Sequence, residues 1–212
     1  MSFRFSRSPV PSTTIPVETP VRPGRPRSLA ADEAIRDATL ELLATEGYAN
    51  LTMSGVAAQA GVSTATLYRR WTSKLDLVIA VLQARAEERP VPDTGSLRGD
   101  CRAILRDVVE ASQTTNAGPI LPGLVGEIGR NPELAEALRT NLIAPRRAAF
   151  VQVLERAAAR GELRAGLDHE LVIDLLIGPL YHRLLMTGAP VDDRAADALA
   201  RLVIRAIAKE VR

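Results

Sequence analysis

The sequence predicts an all-α fold. Apolar residues make up 46% of the 212 positions but aromatics only 3%, an Ala- and Leu-rich balance suited to helices packed on helices. Apolar side chains recur at spacings of three, four and seven, and no segment alternates with the period of two that marks a strand. Capping residues, glycines and prolines punctuate these segments as helix ends do.

Residues 1–28 stand apart. Pro9, Pro11, Pro16, Pro20, Pro23 and Pro26, set among Ser, Thr and Val, forbid regular helix and offer nothing to pack, so this stretch is expected to be a disordered arm. Its end, Arg22-Pro23-Gly24-Arg25-Pro26-Arg27, is cationic and partly resembles the minor-groove AT-hook. Arg25 and Arg27 are therefore candidate DNA contacts, with a solubilising basic tail as the alternative. Ser28 is expected to cap a first helix that turns Ile35, Ala38, Leu42 and Leu43 inward, presents Asp32, Glu33, Asp37 and Glu41 as a solvated face, and stops at Gly47.

The next stretch, Leu51 to Lys74, reads as two short helices joined by a glycine turn. Thr52 is a natural N-cap, Val56, Ala57 and Ala60 share an inward face, and Gly61 supplies a left-handed residue that ends the helix. Val62 plugs the corner. Ser63 caps a second helix, expected to run to Trp71, with Leu67 and Trp71 facing the core. Its other face carries Thr64, Ala65, Thr66, Arg69 and Arg70. This is the layout of a helix-turn-helix, whose second helix enters the major groove. Small side chains permit close approach, and Tyr68, Arg69 and Arg70 can reach phosphates or, for the arginines, guanine edges. No acidic residue occurs from Leu51 to Leu75, although the flanking segments are rich in them. An ordinary helical hairpin is the alternative, and the absence of carboxylates favours DNA over it.

Glu46-Gly47-Tyr48, Leu51-Thr52, Val56-Ala57, Ala60-Gly61-Val62-Ser63, Leu67-Tyr68 and Ser73-Lys74 fall at a spacing that resembles the N-terminal DNA-binding domain of TetR-family transcriptional regulators, over about residues 30–82. Tyr68-Arg69-Arg70-Trp71 resembles one branch of it. The resemblance implies that Thr52, Ser63, Thr64, Ala65, Thr66, Tyr68, Arg69, Arg70 and Lys74 stand at DNA-contacting positions.

Ser73 is expected to cap a linking helix with Asp76 at its third position and Leu75, Val78, Val81 and Leu82 as its apolar stripe. Residues 29–88 thus form the DNA-binding domain with its linking helix. Arg89 to Gly95 reads as an exposed connection, and 96–212 as a C-terminal domain of five or six helices. Ser96 opens the first of these. Gly118-Pro119 and Pro122-Gly123 bracket a short mobile segment, and Asn131-Pro132 starts a helix to about Ile143, after which Pro145 either kinks that helix or starts a new one. Asp168–Thr187 should be interrupted at Gly178-Pro179. The last helix, Asp192 to about Lys209, carries Ala195, Leu199, Leu202, Val203 and Ala206 on one side.

The last two helices are more apolar than one chain can cover. The family resemblance implies that they pair with a twofold mate, and Leu180, Leu184, Leu199, Leu202, Val203 and Ala206 are the candidate homodimer interface. A dimer presents two recognition helices to double-stranded DNA, so the operator should be an inverted repeat with half-sites about 34–36 Å apart. A small hydrophobic effector in the C-terminal domain is the expected switch, with Val109, Leu121, Leu124, Ile128, Phe150, Tyr181 and His182 as candidate pocket residues.

Other classes find less support. A single cysteine allows no intrachain disulfide, and the absence of a signal-like or membrane-spanning run points to the cytoplasm. His169 and His182 do not face one metal, so no metal or cofactor is expected, and no Gly-x-Ser-x-Gly, His-Glu-x-x-His, P-loop or Rossmann pattern marks an enzyme. The expected function is a ligand-responsive repressor. An activator or ligand-independent regulator of the same fold, or a helical ligand-binding protein without DNA affinity, is the alternative.

Overall fold

The computed structural model describes residues 26–113 and 120–209. Among them the helices are α1 (Pro26–Thr45), α2 (Gly47–Asn50), α3 (Met53–Gln59), α4 (Thr64–Tyr68), α5 (Lys74–Glu87), α6 (Leu97–Gln113), α7 (Ile120–Ile128), α8 (Pro132–Leu138), α9 (Ala144–Ala159), α10 (His169–His182) and α11 (Asp193–Ile207). Two wide π-type turns, Arg139–Ile143 and Arg183–Thr187, continue α8 into α9 and extend α10. The all-α expectation holds. Residues 1–25 of the expected arm, Arg25 among them, lie outside the described residues, as does Gly118-Pro119, while the arm's last three residues, 26–28, are helical rather than irregular.

α1 starts at Pro26, so Ser28 sits inside its first turn rather than capping it; a first-turn proline lacks only an amide proton that would be unbonded anyway. The helix ends at Thr45, and Gly47, at φ +76°, opens the single turn α2. Pro122-Gly123 does not flank a loop. It falls in the first turn of α7, where proline again displaces no helical bond. Pro145 stands in the first turn of α9, as expected of a proline that starts a new helix, whereas Pro179 interrupts nothing. α8 and α9 form one rod whose wide turn takes up the bond pattern ahead of Pro145, and α10 runs through Pro179 to Thr187.

Two apolar clusters hold the fold. One joins Ile35, Leu43, Tyr48, Val56, Leu67, Leu77 and Val78 of α1–α5 to Ile120 and Leu124 of α7 and Leu134 and Leu138 of α8. Residues beyond 96 therefore complete the core beneath the helix-turn-helix, which as a unit of about 60 residues would bury little apolar surface alone. The second cluster joins α6, α9, α10 and α11 through Cys101, Leu105, Phe150, Val153, Ile173, Leu176, Leu180, Ala200 and Val203.

Of residues 89–95, expected as an exposed connection, Pro90, Asp93, Thr94 and Gly95 are exposed, and the segment is strapped down as well. Arg146 donates to the Arg89 carbonyl at 2.9 Å, Arg156 to that of Pro92 at 2.5 Å, and the amide and hydroxyl of Thr94 both reach the buried Asp100 carboxylate at 2.7 Å. Arg146 also pairs with Asp107 at 2.7 Å, and Gln83 of α5 donates to the Asn141 carbonyl inside the wide turn at 3.0 Å. The linking helix is thus gripped along its side and at its end by the α8–α9 rod.

In α11 the inward face is one residue out of the expected register. Ala196, Ala200, Val203 and Ile207 are buried, whereas Leu202 is 64% exposed. The two faces have the same 3-4-7 spacing, so pattern alone could not separate them.

Two outcomes are expected. Leu134→Ala should destabilise the protein by about 2–5 kcal/mol and lower the melting transition seen by Trp71, the only tryptophan, together with that of the whole helix signal; an unmoved Trp71 transition would mean that the first cluster does not depend on α8. Cys101 is fully buried, and burial, with Asp100 adding, pushes its thiol up to about 12. Because the thiolate is the reactive form, a thiol reagent at pH 8 should label it only after denaturation.

Candidate nucleic-acid interface

Two hydroxyl caps build the motif. Thr52 Oγ1 accepts the Gly55 amide at 3.0 Å and opens α3; Ser63 Oγ accepts the Thr66 amide at 3.2 Å and opens α4. Between them Gly61 takes φ +66°, and the Val62 amide returns to the Ala57 carbonyl at 3.0 Å, closing α3 in a Schellman-type turn. Val62 then packs against the first cluster.

α4 is shorter than the expected Ser63–Trp71 span. After Tyr68 the Arg70 amide bonds the Leu67 carbonyl three residues back at 2.9 Å, which tightens the last turn. Leu67 is fully buried and Trp71 half-buried. Thr52, Ser63, Thr64, Ala65, Tyr68 and Arg69 are exposed, and Thr66 is half-buried with its hydroxyl bonded to Ser63 Oγ at 2.9 Å. None of these residues is an acid, and no acid stands between them in the sequence. The first acid beyond it, Asp76, is bonded by the Thr72 hydroxyl, the largest of the influences that hold its carboxyl below the usual range.

Arg70 and Lys74 behave differently from Arg69. Arg70 pairs with Asp32 of α1, and its guanidinium lies 6.0 Å from the Trp71 ring centre. Lys74 Nζ donates to the Tyr48 carbonyl at 2.9 Å and the Ala49 carbonyl at 3.3 Å, and stands 4.6 Å from the centre of the Tyr48 ring. The α1 acids are accordingly not a purely solvated face. Besides Asp32, Glu41 accepts from Gln59 at the end of α3 at 2.7 Å. Arg27 is part of α1.

The candidate effector residues are not brought together. Val109 and Phe150 belong to the second cluster, Leu124 and Ile128 pack in the first, Leu121 is half-buried on α7, and His182 is exposed. Tyr181 is half-buried, and burial raises its phenol pKa against the opposing charges of Arg146 and Arg89. A cleft of about 580 Å³ opens elsewhere, between α1 and α5 beside Arg70 and Trp71.

Of the candidate dimer residues, Leu180 and Val203 are 1% exposed and covered by their own chain, because they face the second cluster. Leu184 and Leu199 are half-buried, and Ala206 and Leu202 face outward. Leu171, Leu175 and Met186 were missed and are exposed on the outer side of α10 and its extension. The sequence marked that helix as apolar around much of its circumference but did not say which side its own chain would cover.

The comparisons agree with this geometry. Residues 35–81 match the family described as bacterial regulatory proteins, tetR family, and residues 91–203 the tetracyclin repressor-like C-terminal domain. The chain is 37% identical over 171 residues to the HTH-type transcriptional regulator YdeS of Bacillus subtilis, covering 80% of this chain and 86% of that one. It is 34% identical over 181 residues to the DNA-binding transcriptional repressor TetR of Mycobacteroides abscessus, covering 81% and 93%. The crystal structure of the TetR family transcription regulator SCO0332 superposes with a TM-score of 0.68 at 37% identity, over 82% of this chain and 97% of that one. That of FadR from Bacillus subtilis in complex with stearoyl-CoA gives 0.70 at 18% identity, over 82% and 97%, a likeness of fold. With a matched N-terminal motif, a matched C-terminal domain and the capped, carboxylate-free surface of α3 and α4, the chain belongs to the TetR family of DNA-binding transcriptional regulators.

Proposed function

We infer that the chain is a ligand-responsive repressor that binds an inverted-repeat operator as a homodimer, with α4 in the major groove. The observation that carries this reading is the outer surface of α3 and α4: Thr64 and Ala65 are small and exposed, Tyr68 is 56% exposed, Arg69 points outward, and no acid interrupts them. The N-terminus of α3, with the exposed Thr52, suits a backbone phosphate beside the groove.

Assembly is supported by a face that one chain leaves open. Leu171 (65% exposed), Leu175 (46%), Met186 (76%) and Leu202 (64%) lie on α10, its extension and α11, which pack side by side. Large exposed apolar side chains on neighbouring helices favour burial against a partner, and a second copy places two recognition helices on one side of DNA. Repression is the activity named for the Mycobacteroides abscessus relative. A FadR of the same fold was crystallised with stearoyl-CoA, which makes apolar effectors the first class to screen.

An effector acts only as far as it prefers the spacing of recognition helices that DNA does not accept. In this chain α5 is the element between the two, held by Gln83 to the wide turn and, just beyond its end, by Arg146 to Arg89. Footprinting on upstream DNA, then thermal-shift screening of small apolar compounds and release of the footprint, tests the reading as a whole. No protected inverted repeat would end it.

Two variants sharpen it. Arg69→Ala should weaken operator binding by about 1–3 kcal/mol if the side chain is bidentate to guanine, with circular dichroism unchanged; wild-type affinity would remove α4 from the groove. Leu171→Glu combined with Leu202→Glu should give monomers in sedimentation that no longer protect an inverted repeat, and a persistent dimer would place the interface on another face.

A further inference from the structure

The three cations that come after Tyr68 do different jobs. Arg69 faces solvent, whereas Arg70 and Lys74, which the family resemblance places among the DNA contacts, are turned into the protein. We propose that Arg70 and Lys74 are positioning residues that fix the tilt and rotation of the recognition helix, and that Arg69 alone of the three contacts DNA. This rests on the reading of α4 as the helix that enters the groove.

Lys74 is the first residue of α5 and is joined to a helix end. α2 is one turn long, so its last carbonyls have no partner within it. The ammonium takes two of them, those of Tyr48 and Ala49, and rests near the Tyr48 ring. Tyr48 is 6% exposed and packs in the cluster that contains Ile120 and Leu124 of α7. Two of its three donors are thus taken by α2, and swinging the side chain out to a phosphate beyond that helix end would give up both bonds and the ring together. Arg70 is anchored on the other side, to Asp32 of α1, with only 25% of its side chain exposed.

The two anchors bracket the segment after α4 and attach it to different helices. α4 itself has five residues and cannot set its own orientation through internal bonds. One anchor would leave it free to swing about that point; two, on α1 and α2, hold the turn carrying Tyr68 and Arg69 at a single angle. The bond from Gln59 to Glu41 does the same for the end of α3. The motif is thus clamped to α1 and α2 by groups that sequence reasoning assigned to solvent or to DNA.

The test uses the full-length protein, a footprinted operator duplex and an unrelated duplex of equal length, each titrated over a range of salt. Wild-type protein comes first: no operator binding at any salt overturns the reading of α4 itself, an outcome distinct from the failure of either anchor. Given operator binding, Arg69→Gln should lower the slope of log affinity against log salt by about 0.9, the loss of one phosphate contact, or cut operator preference if it reads a base. Lys74→Gln and Arg70→Gln should each lower operator affinity about tenfold, the size of one misplaced base contact, with the slope and the affinity for unrelated duplex as in the wild type.

Merely structural damage would lower both affinities together with the folded fraction measured by circular dichroism. Lys74→Arg keeps donors for the α2 carbonyls and should retain operator preference, and the exchange Asp32→Arg with Arg70→Asp should recover most of what Arg70→Asp loses. A slope reduced by about 0.9 in Lys74→Gln or Arg70→Gln, unchanged operator affinity in both, parallel loss on both duplexes, or no recovery by the exchanged pair would each overturn the assignment.

Discussion

The burial of Leu67 is the contact on which the rest of the structure depends. A helix of five residues has almost no stability in water, because the ordering of its first turn is not offset by further bonds. α4 exists because Leu67, fully buried, inserts among residues of α1, α3 and α5, while the Ser63 cap and the Gly61 turn present it at the right angle. Its outer face is what remains when that one side chain is fixed. The small and cationic residues there need no partner of their own.

The same cluster ties the N-terminal segment to the helices that follow it. Tyr48 lies between Lys74 and α7, and burial, with the charges of Glu133 and Glu127, raises its phenol pKa. Leu124, Leu134 and Leu138 then close the cluster from the C-terminal side. Rigid attachment is a consequence of packing, since an interior at crystal-like density does not let one wall move without the others. The wide turn adds a polar tie: an i→i+5 ring leaves the Asn141 carbonyl within reach of another helix, and Gln83 of α5 donates to it. Pro145, which cannot continue a regular helix without strain, sits two residues beyond that turn, so a sequence feature that reads as a break acts as a grip.

Much of this was legible in the sequence because the signals were local. Thr52, Ser63, Ser73, Asn131, Asp168 and Asp192 all cap as their residue types suggest, each bonding an amide two or three residues on. The buried faces of α1 and α6 could be read from period. What escaped was set by partners distant along the chain. The role of Asp32 depends on Arg70, that of Glu41 on Gln59, and that of Lys74 on carbonyls 25 and 26 residues earlier. In α11 two apolar stripes of identical spacing lie side by side, and only the position of α6 and α10 decides that Val203 turns in and Leu202 out.

Charge shows the same division between composition and placement. A formal net charge of +2 is too small to drive binding to a polyanion by itself. What suits α3 and α4 to one is an outer face whose own residues include no acid, while the neighbouring acids are each bonded to the protein, Asp32 to Arg70, Glu41 to Gln59 and Asp76 to Thr72. Only the Arg70 pair offsets a charge, because an amide or hydroxyl donor leaves its carboxylate ionised. All three bonds tighten the motif. An acid on α1 at these positions, read alone, looks unfavourable to DNA; in the fold it is part of what holds Arg69 and Tyr68 outward.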